Sequence, residues 1–391
     1  MEKVITTEKR PIKLWLPDLD EDTLQQAKNL ANLPGIHSHI AVMPDAHVGY
    51  GMPIGGVAAT VDIVIPNAVG VDIGCGMCAV QTSLKHVEKK TLKNILAGIR
   101  QVVPLGFKHH KKSQSPEYMP KPPPGKTLRD LPIVSHEYES GRSQVGTLGG
   151  GNHFIEIQQD EEGYVWLMIH SGSRNIGYRV ANHYNKVAIE LNSRQGMPIP
   201  SQWQLASLPI ESEEGRLYLA EMQYCVDFAL SNRALMMERV IGVVREYCAP
   251  ASFSEMINVA HNYAAIERHF GKKVLVHRKG ATRAGKDEIG IIPGSQGTVS
   301  YIVKGKGNAE SFSSCSHGAG RKLGRKQAQR QLDLKREIEF LERQDIIHAV
   351  RSKGDLEEAS GAYKDIEEVI SRQSDLIIPV TLLRPLAVIK G

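Results

Sequence analysis

The sequence predicts an α+β fold, in which mixed β-sheets of short strands and flanking helices form a single large domain. Apolar and polar residues alternate over short stretches that are bounded by glycine, as is typical of strands. Helical periodicity is confined to separate blocks and does not alternate regularly with the strands, which favours α+β over α/β. Because the 391-residue chain has no repeat of fixed period and no linker, we expect one domain over residues 1–391.

The predicted elements begin with short strands and glycine turns between residues 40 and 84. Residues 85–102 follow with the 3.6-residue apolar period of an amphipathic helix. Residues 107–127 are rich in proline and lysine, which predicts an exposed, mobile loop. The remaining elements are strands at 153–159 and 164–170, mostly helix over 179–248, short strands between 274 and 305, one long charged helix over 320–344, and a final strand near 376–389.

Composition excludes several classes of protein. Hydrophobic residues make up 41% of the chain, enough for a full core, so the chain is not intrinsically disordered. Five cysteines, an odd and sparse number, do not form a disulfide framework. A net charge of +5 permits an anionic partner such as nucleic acid without requiring one. Without a signal peptide or an unbroken apolar span, we expect a cytoplasmic protein that does not enter a membrane.

Three motif-like sequences do not support a function. The stretch ending in Gly125-Lys126-Thr127 lacks the first glycine and the preceding strand of a phosphate loop. The glycines between 49 and 55 miss the dinucleotide-binding spacing by one residue. Cys75 and Cys78 have the spacing of a zinc or redox pair, but a zinc knuckle needs a second pair. We therefore expect Cys78 to pack in the core.

Polar residues among glycines and serines give the main functional signal, because small neighbours let a metal ion or a phosphate approach closely. A single histidine in such a setting is usually a packed or hydrogen-bonded residue, so the argument depends on the group. One aspartate, one cysteine and three histidines suit one or two divalent cations, and these ligands are compatible with both zinc and manganese. The five residues are Asp72, Cys75, His153, His170 and His261.

His317 has a different setting. Gly-Ala-Gly follows it, and five basic residues without an acid lie between positions 321 and 330. Backbone N–H groups of such a glycine segment, if it opens a helix, bind phosphate well, and a neutral imidazole can attack phosphorus. The alternative is a solvated basic helix face that carries an incidental histidine, and the local sequence favours neither.

The chain carries a series of short motifs in a fixed order: GVDIGCG, GTLGGGNHFIE, HSGSR, AHNYA, IPGSQGTVSY, SHGAGR, AYKDIEEV and the terminal VIKG. Taken together, these motifs resemble the RtcB family of GTP-dependent RNA-splicing ligases, most of all its short bacterial form. The resemblance runs from about Pro44 to Gly391 and implies an RtcB-like fold. The combination is far more specific than any single motif.

The resemblance implies a role for each matching residue. It makes His317 the residue that attacks the α-phosphorus of GTP and becomes guanylylated, and it places Arg174 near the RNA phosphate. It implies two Mn²⁺ ions per active site, bridged by the cysteine and held by Asp72, Cys75, His153, His170 and His261. The implied guanylate contacts are Asn152, Phe154, Glu156, Asn262, Pro293, Gly294, Ser295, Gln296, Ser300, Gly318, Ala319, Gly320, Tyr363 and Lys390.

The implied reaction joins RNA ending in a 2′,3′-cyclic phosphate or a 3′-phosphate to RNA with a 5′-hydroxyl, in tRNA splicing or RNA repair. It consumes GTP and passes through an RNA-3′-pp-5′-G intermediate, and an activating protein partner stays possible. Two other functions compete. A metal-dependent RNA phosphodiesterase would need the metal ligands but not the His317 motif, and a non-catalytic RNA-binding accessory protein would need only a basic surface. The nucleophile, the metal ligands and the guanine contacts are all present together, which favours the ligase.

The sequence departs from the family pattern in two places. Ala46 stands where the family's Pro-Asp-Val-His has valine, which leaves the polar residues intact. Within this motif, Asp45 is either a partner of a metal-binding histidine or a turn residue at a strand end, and the turn is the simpler interpretation. The loop at 107–127 is shorter and richer in proline than the family's, so its contribution to RNA choice stays open.

Overall fold

Two β-sheets carry the fold in the computed structural model, which describes residues 1–196 and 199–391. Most neighbouring strands run antiparallel, with one parallel pair near the N-terminus. The strands are β1 (Lys3–Ile5), β2 (Ile12–Leu14), β3 (Ile36–His47), β4 (Ile54–Thr60), β5 (Ile63–Val64), β6 (Gly76–Gln81), β7 (Phe154–Asp160), β8 (Val165–Ser171), β9 (Leu208–Pro209), β10 (Ile257–Ala260), β11 (Asn262–His269), β12 (Lys272–Lys279), β13 (Ala281–Arg283), β14 (Ile289–Ile292), β15 (Ser300–Gly305), β16 (Ser314–Ser316) and β17 (Ile377–Lys390).

The larger sheet has seven strands in the order β10-β6-β8-β7-β17-β15-β14, and the smaller has six in the order β1-β2-β3-β4-β12-β11. Two further short pairs, β13-β16 and β5-β9, form separate two-stranded sheets. Strands that are distant in sequence are neighbours in both sheets, as expected for α+β.

Helices flank the two sheets. They are α1 (Glu21–Ala31), α2 (Lys89–Val102), α3 (Pro132–Gln144), α4 (Arg174–Arg194), α5 (Glu213–Tyr247), α6 (Arg325–Gln331), α7 (Leu334–Arg343) and α8 (Ile366–Ser371). The apolar face of α2 packs together with α5 against one face of the seven-stranded sheet. This core contains Ile95 and Ile99 of α2, Val240 of α5 and Ile169 of β8. The architecture confirms the predicted α+β class and its single domain of mixed sheets with flanking helices.

The prediction of one long charged helix over 320–344 is wrong. The chain there forms α6 and α7, separated at Leu332 and Asp333. The Asp333 side chain accepts a hydrogen bond from the backbone N–H of Arg336 and so caps the start of α7. An N-terminal cap of this kind favours a new helix start over continuation through the residue.

The Gly-Ala-Gly segment after His317 also does not open a helix. Gly320 has a φ of +73°, and a Cβ there would clash with the backbone of Asp45. Only glycine fits this close approach, so the segment is a turn. The nearest helix, α6, begins several residues later, after Gly324.

The C-terminal residues form a strand, as predicted. β17 lies inside the seven-stranded sheet, where it pairs antiparallel with β7 on one side and β15 on the other. Val388 and Ile389 are buried, and Lys390 is in register with Phe154. Its first half, Ile377–Leu383, pairs with β15, and its second half, Leu383–Lys390, pairs with β7, so the ladder with β7 holds the end of the described chain in place.

Residues 107–127 contain one short 3₁₀ turn, Pro116–Tyr118, and most of their side chains are exposed. Met119 is the exception, because it is buried against the core formed by α3, α4 and α5. Within the described part of the chain, no helix combines the length and the apolar character needed to cross a membrane.

Candidate active site

Three of the predicted metal ligands meet at one end of the seven-stranded sheet. Cys75 immediately precedes β6, His170 lies near the end of β8, and His153 immediately precedes β7. Met77 and Phe154 both pair with His170 in the β ladder, so the three strands end side by side. The ligand atoms of Cys75, His153 and His170 all lie within 4.8 Å of one another, a spacing that can hold a metal ion.

His261 lies where the chain crosses from one sheet to the other, between β10 and β11. Its backbone N–H donates to the carbonyl of Cys75 at 2.8 Å, and its carbonyl accepts from the N–H of Ala281 at 3.2 Å. Its side-chain Nε2 lies 3.4 Å from Nε2 of His170. The junction of the two sheets therefore adds a third imidazole to the cluster.

Hydrogen bonds fix the direction in which these rings face. Nδ1 of His170 lies 3.1 Å from the carbonyl of Asn152, and Nδ1 of His153 lies 3.0 Å from the carbonyl of Leu148. A carbonyl only accepts, so each Nδ1 carries the proton, and both Nε2 atoms are turned towards Cys75 Sγ, at 3.3 Å from His170 and 3.5 Å from His153.

The chemistry of this donor set fits a cation. Burial lowers the pKa of His170 and that of His261 well below 6.5, so both rings are neutral. The Nε2 of His170 is then an unprotonated lone pair that faces a sulfur and a second imidazole. Burial and the Asp72 charge raise the pKa of the Cys75 thiol, so a metal would have to displace its proton on binding.

Asp72 completes the cluster on its solvent side. Its Oδ2 lies 3.1 Å from Nε2 of His153. Burial alone would raise the pKa of Asp72, but the hydrogen bond and charge of His153, with the charge of Arg174, outweigh burial and bring the pKa to about 2. The carboxylate is therefore ionised and available as a ligand.

The predicted RNA-contacting residue, Arg174, opens α4 and lies beside this carboxylate. Its Nε donates to the Thr147 hydroxyl at 3.3 Å, and its guanidinium packs directly on Gly149, where any side chain would clash with it. The absence of a Cβ at position 149 thus makes room for a cation next to the metal cluster.

His317 lies on the opposite side of His261, with the two ring centroids 4.8 Å apart. It follows β16, whose last residue Ser316 pairs with Ala281. The His317 side chain is 15% exposed. The predicted nucleophile and the predicted metal ligands are therefore neighbours around one small volume.

Asp45 holds His317, which corrects the interpretation of Asp45 as a turn residue. The carboxylate is fully buried, and its Oδ2 lies 2.6 Å from Nδ1 of His317 and accepts from the His317 backbone N–H at 3.0 Å. Burial would raise the pKa of Asp45, but the charge and hydrogen bond of His317 outweigh burial and keep the pKa below its usual range. With the proton on Nδ1, the imidazole presents Nε2 as its free lone pair. The sequence indicated a polar motif here but not its partner.

Two of the predicted guanylate contacts, Phe154 and Glu156, lie on one face of β7. Gln158, which sequence reasoning missed, lies on the same face. Gln158 Nε2 donates to Glu156 at 2.7 Å and to the Ser300 hydroxyl at 3.2 Å, and that hydroxyl accepts from the N–H of Gly294 at 3.2 Å. The period of two along the strand was the signal that could have added Gln158 to the set.

Lys390 projects from β17 over the same region. Its Nζ lies 5.5 Å from the centre of the Phe154 ring and 3.4 Å from the carbonyl of Asn152. Burial lowers the pKa of Lys390, although the charges of Glu358 and Glu156 oppose this. Burial raises the pKa of Glu156 to about 8, although Lys390 opposes this too.

A buried carboxylate, Glu358, organises the far side of this region and was also missed. It is hydrogen-bonded by the hydroxyl of Tyr363 and pairs with Arg321 at 3.2 Å and Arg325 at 3.0 Å. Its backbone carbonyl accepts from Gln296 at 3.0 Å. Glu358 ends a short 3₁₀ segment between two of the sequence motifs. No pattern in the sequence marks it as a partner of Tyr363 and the two arginines.

The remaining predicted residues fall around the same volume. The Asn262 side chain donates to the Asp72 carbonyl at 3.1 Å and accepts from the N–H of Gly280 at 2.7 Å, so it links the metal cluster to the strand end beside His317. Gly318 lies against Pro293. The turn that contains Ser295 is closed by bonds to Thr298, and Ala319 is buried beside Gly320.

Comparison with known proteins identifies similar chains. A family profile described as "tRNA-splicing ligase RtcB" matches residues 26–121 and 125–391. The chain is 36% identical over 409 residues to the RNA-splicing ligase RtcB of Escherichia coli K12, with 100% of this chain and 99% of that protein covered. It is 35% identical to the tRNA-splicing ligase RtcB of Thermococcus kodakarensis, with 94% and 91% covered. It is 33% identical to the one from Methanococcus maripaludis, with 97% and 93% covered.

Proposed function

Because this chain belongs to the RtcB family of RNA-splicing ligases, we propose that it is the GTP-dependent form of ligase, with His317 as its guanylylated residue. The observation that carries the proposal is the bond between Asp45 and His317 beside the cluster of Cys75, His153 and His170. A buried carboxylate on Nδ1 leaves Nε2 free to attack an electrophile. The substrates are RNA with a 2′,3′-cyclic phosphate or 3′-phosphate, RNA with a 5′-hydroxyl, and GTP, and the reaction takes place in the cytoplasm.

In the first step Nε2 of His317 attacks the α-phosphorus of GTP. A P–N bond forms, and the bond to the β-phosphate oxygen breaks, so pyrophosphate leaves. Lys390 donates to the guanine carbonyl oxygen, and Glu156 accepts from the N–H groups on the guanine edge. The buried Asp45 carboxylate stabilises the imidazole as it gains positive charge. Phe154, on the same strand as Glu156, supplies an apolar surface for the base.

In the second step the RNA 3′-phosphate attacks the phosphorus of the guanylylated histidine. The P–N bond breaks, and RNA-3′-pp-5′-G forms. The 5′-hydroxyl of the second RNA then attacks the RNA phosphorus and displaces GMP, which seals the strand. An RNA that ends in a 2′,3′-cyclic phosphate is first hydrolysed to the 3′-phosphate. Arg174 binds this phosphate in bidentate fashion, an assignment supported by the position of its guanidinium on Gly149, beside the metal cluster.

Asp72, Cys75, His153, His170 and His261 would hold two Mn²⁺ ions. When bound, these ions would neutralise phosphate charge and align the reacting oxygens, which is what phosphoryl and nucleotidyl transfer require. The Nδ1 atoms of His153 and His170 face backbone carbonyls, which already orient the two Nε2 atoms towards Cys75, so little reorientation of the rings accompanies metal binding.

A labelling experiment tests the proposal. The protein is incubated with α-³²P-GTP and Mn²⁺, denatured and examined for covalent label that is labile in acid and stable in alkali. We expect label on the wild type and none on His317→Ala. His348→Ala, which changes a histidine in the loop after α7 that has no proposed role, should label as the wild type does. Label on His317→Ala at the wild-type level would assign the nucleophile elsewhere, and an absence of label on the wild type would contradict the function.

A further inference from the structure

The loop that follows α2 places an exposed aromatic side chain at the rim of the active site. Phe107 is 95% exposed, more than any other large apolar side chain in the described part of the chain. Exposure of a whole phenyl ring is unfavourable unless something covers it in use. Isolated exposed apolar residues are common, so the argument depends on what surrounds this one.

The residue before Phe107 is fixed to the active-site loop. The N–H of Gly106 donates to the carbonyl of Gly149 at 3.1 Å, and the N–H of Leu148 donates to the carbonyl of Pro104 at 3.0 Å. These two bonds tie the start of the loop to the segment that leads into His153.

Two proposed substrate contacts converge on the same point. The guanidinium of Arg174, assigned above to the RNA phosphate, packs on Gly149. The terminal Gly391, which follows Lys390, lies against Gly149 as well and approaches Gly106. Phe107 is therefore one residue from the place where the phosphate-binding side and the guanine-binding side of the site meet.

The rest of the loop is basic and held in place. No acidic residue lies between positions 107 and 116, and the side chains of Lys108, His109, Lys111 and Lys112 are exposed. The backbone is anchored where His110 N–H donates to the Ser143 carbonyl at 2.9 Å and Gln114 N–H donates to the Arg142 carbonyl at 2.8 Å.

A further anchor is the Arg239 side chain, which donates to Gln114 at 2.6 Å and contacts His110 at 2.7 Å. The anchors position the loop in advance, while the lysines and the phenyl ring stay free. A fixed aromatic ring followed by cations is the pattern that binds single-stranded nucleic acid, because a base stacks on the ring and its phosphates pair with the lysines.

On the basis of the proposed function, we propose that Phe107 stacks on the terminal nucleobase of the RNA strand that carries the 3′-phosphate, and that Lys111 and Lys112 bind phosphates further along that strand. The adjacency of Phe107 to the Arg174 side of the site selects this strand over the one with the 5′-hydroxyl. The density of lysine without acid favours RNA over a protein partner.

The test measures the second step alone. Enzyme that has been guanylylated in advance is mixed with a 3′-phosphate RNA, and transfer of label is followed against RNA concentration. Phe107→Ala should raise the half-saturating RNA concentration about 5-fold or more, the range expected for loss of one base–aromatic stack, and should leave guanylylation by GTP unchanged. Phe107→Trp should restore tight binding. Tyr247→Ala, which removes an exposed aromatic ring at the end of α5, should change nothing.

An RNA without a base at its 3′-terminal nucleotide identifies the contact. It should bind the wild type more weakly, and Phe107→Ala should not weaken it further. Equal weakening of both RNAs, no effect of Phe107→Ala, or an effect confined to the 5′-hydroxyl strand would each overturn the inference. Fluorescence anisotropy of labelled 3′-phosphate RNA repeats the comparison without catalysis. A wild type that binds RNA through Phe107 but takes up no GMP would contradict the proposed function and leave this inference standing.

Discussion

The role of each histidine in this site depends on the group that is hydrogen-bonded to its Nδ1 atom. The Nδ1 atoms of His153 and His170 face backbone carbonyls, whereas Nδ1 of His317 faces the buried carboxylate of Asp45. The first arrangement orients Nε2 towards the cysteine, and the second places a negative charge where it stabilises a positive charge on the ring. Sequence motifs located all three histidines. They could not distinguish the two environments, because Asp45 is 272 positions away from His317.

Asp45→Asn should slow guanylylation by about 10²-fold or more, because an amide no longer stabilises the charged imidazole and can bind the wrong tautomer. The rate is measured from label uptake in a single turnover with saturating GTP. Thermal unfolding and Mn²⁺ content should match the wild type. Asp18→Asn, at an exposed aspartate that pairs with Lys3, is the control. A full rate in Asp45→Asn would show that the buried carboxylate is only structural.

The two cysteines of the CxxC should behave differently although both are buried. Cys75→Ala removes a sulfur that lies 3.3 Å from His170, so we expect loss of bound metal and of ligation. Cys78 lies in the apolar core under α5, with its sulfur 3.9 Å from the Arg233 carbonyl, so Cys78→Ala should lower stability by about 1 kcal/mol and keep the metal. Metal content after dialysis, measured by mass spectrometry, decides. Equal loss in both variants would restore the zinc-pair interpretation.

Glu156 should make GTP use depend on pH. Its pKa of about 8 means that the carboxyl is protonated at neutral pH and becomes an acceptor for the guanine N–H groups only when it ionises. The half-saturating GTP concentration should therefore fall as the pH rises from about 6.5 to about 8.5 and then level off. Glu156→Gln should flatten this dependence. The same slope in the glutamine variant would assign the titration to another group.

At the scale of elements, regular patterns were predictable and interruptions were not. Alternation of apolar and polar residues predicted strands at 58–65 and 78–84, which overlap β4, β5 and β6, and the apolar end of the chain predicted β17. The prediction of one long helix over 320–344 was wrong because the charged composition continues through Asp333, where a single side-chain cap starts a new helix. Likewise, the turn at Gly318–Gly320 depends on contact with Asp45, which no local pattern encodes.

The pairing of β17 with β7 fixes the position of Lys390, so we expect this residue to matter for GTP use although it lies near the end of the chain. Lys390→Ala should leave the strand paired, since its ladder uses backbone groups, but should weaken GTP use and narrow the preference for GTP over ATP. Adenine presents an amino group where guanine presents a carbonyl, so the Lys390 ammonium would face a second donor in ATP. Removal of the ammonium therefore removes this discrimination against ATP. Guanylylation and adenylylation are compared at limiting nucleotide, with Lys304→Ala on the neighbouring β15 as the control. Unchanged selectivity would show that Lys390 does not contact the base.

In the molecule as a whole, the site lies where the two sheets meet. β6, β7 and β8 of the larger sheet supply the strand ends beside Cys75, His153 and His170, and the crossing into the smaller sheet supplies His261. The family was predictable because its motifs recur in a fixed order. This geometry was not, because it depends on pairings between strands that are up to 236 positions apart, such as Phe154 with Lys390.

A metal bound at this junction should stabilise the whole fold, since its ligands come from segments that unfolding separates. An ion that binds only the native state at about 100 times its Kd adds about 2.7 kcal/mol to the free energy of unfolding, so Mn²⁺ without GTP should raise the Tm by several degrees. Mg²⁺ should raise it less, because it prefers oxygen ligands to sulfur and imidazole. Cys75→Ala should abolish the rise and Cys78→Ala should keep it, both measured by calorimetry against the metal-free protein. A rise that survives in Cys75→Ala would mean that the stabilising ion binds away from the cluster, and the strand ends would then be held together by the β ladder and by the hydrogen bonds of His153, His170 and His261 without a metal ion.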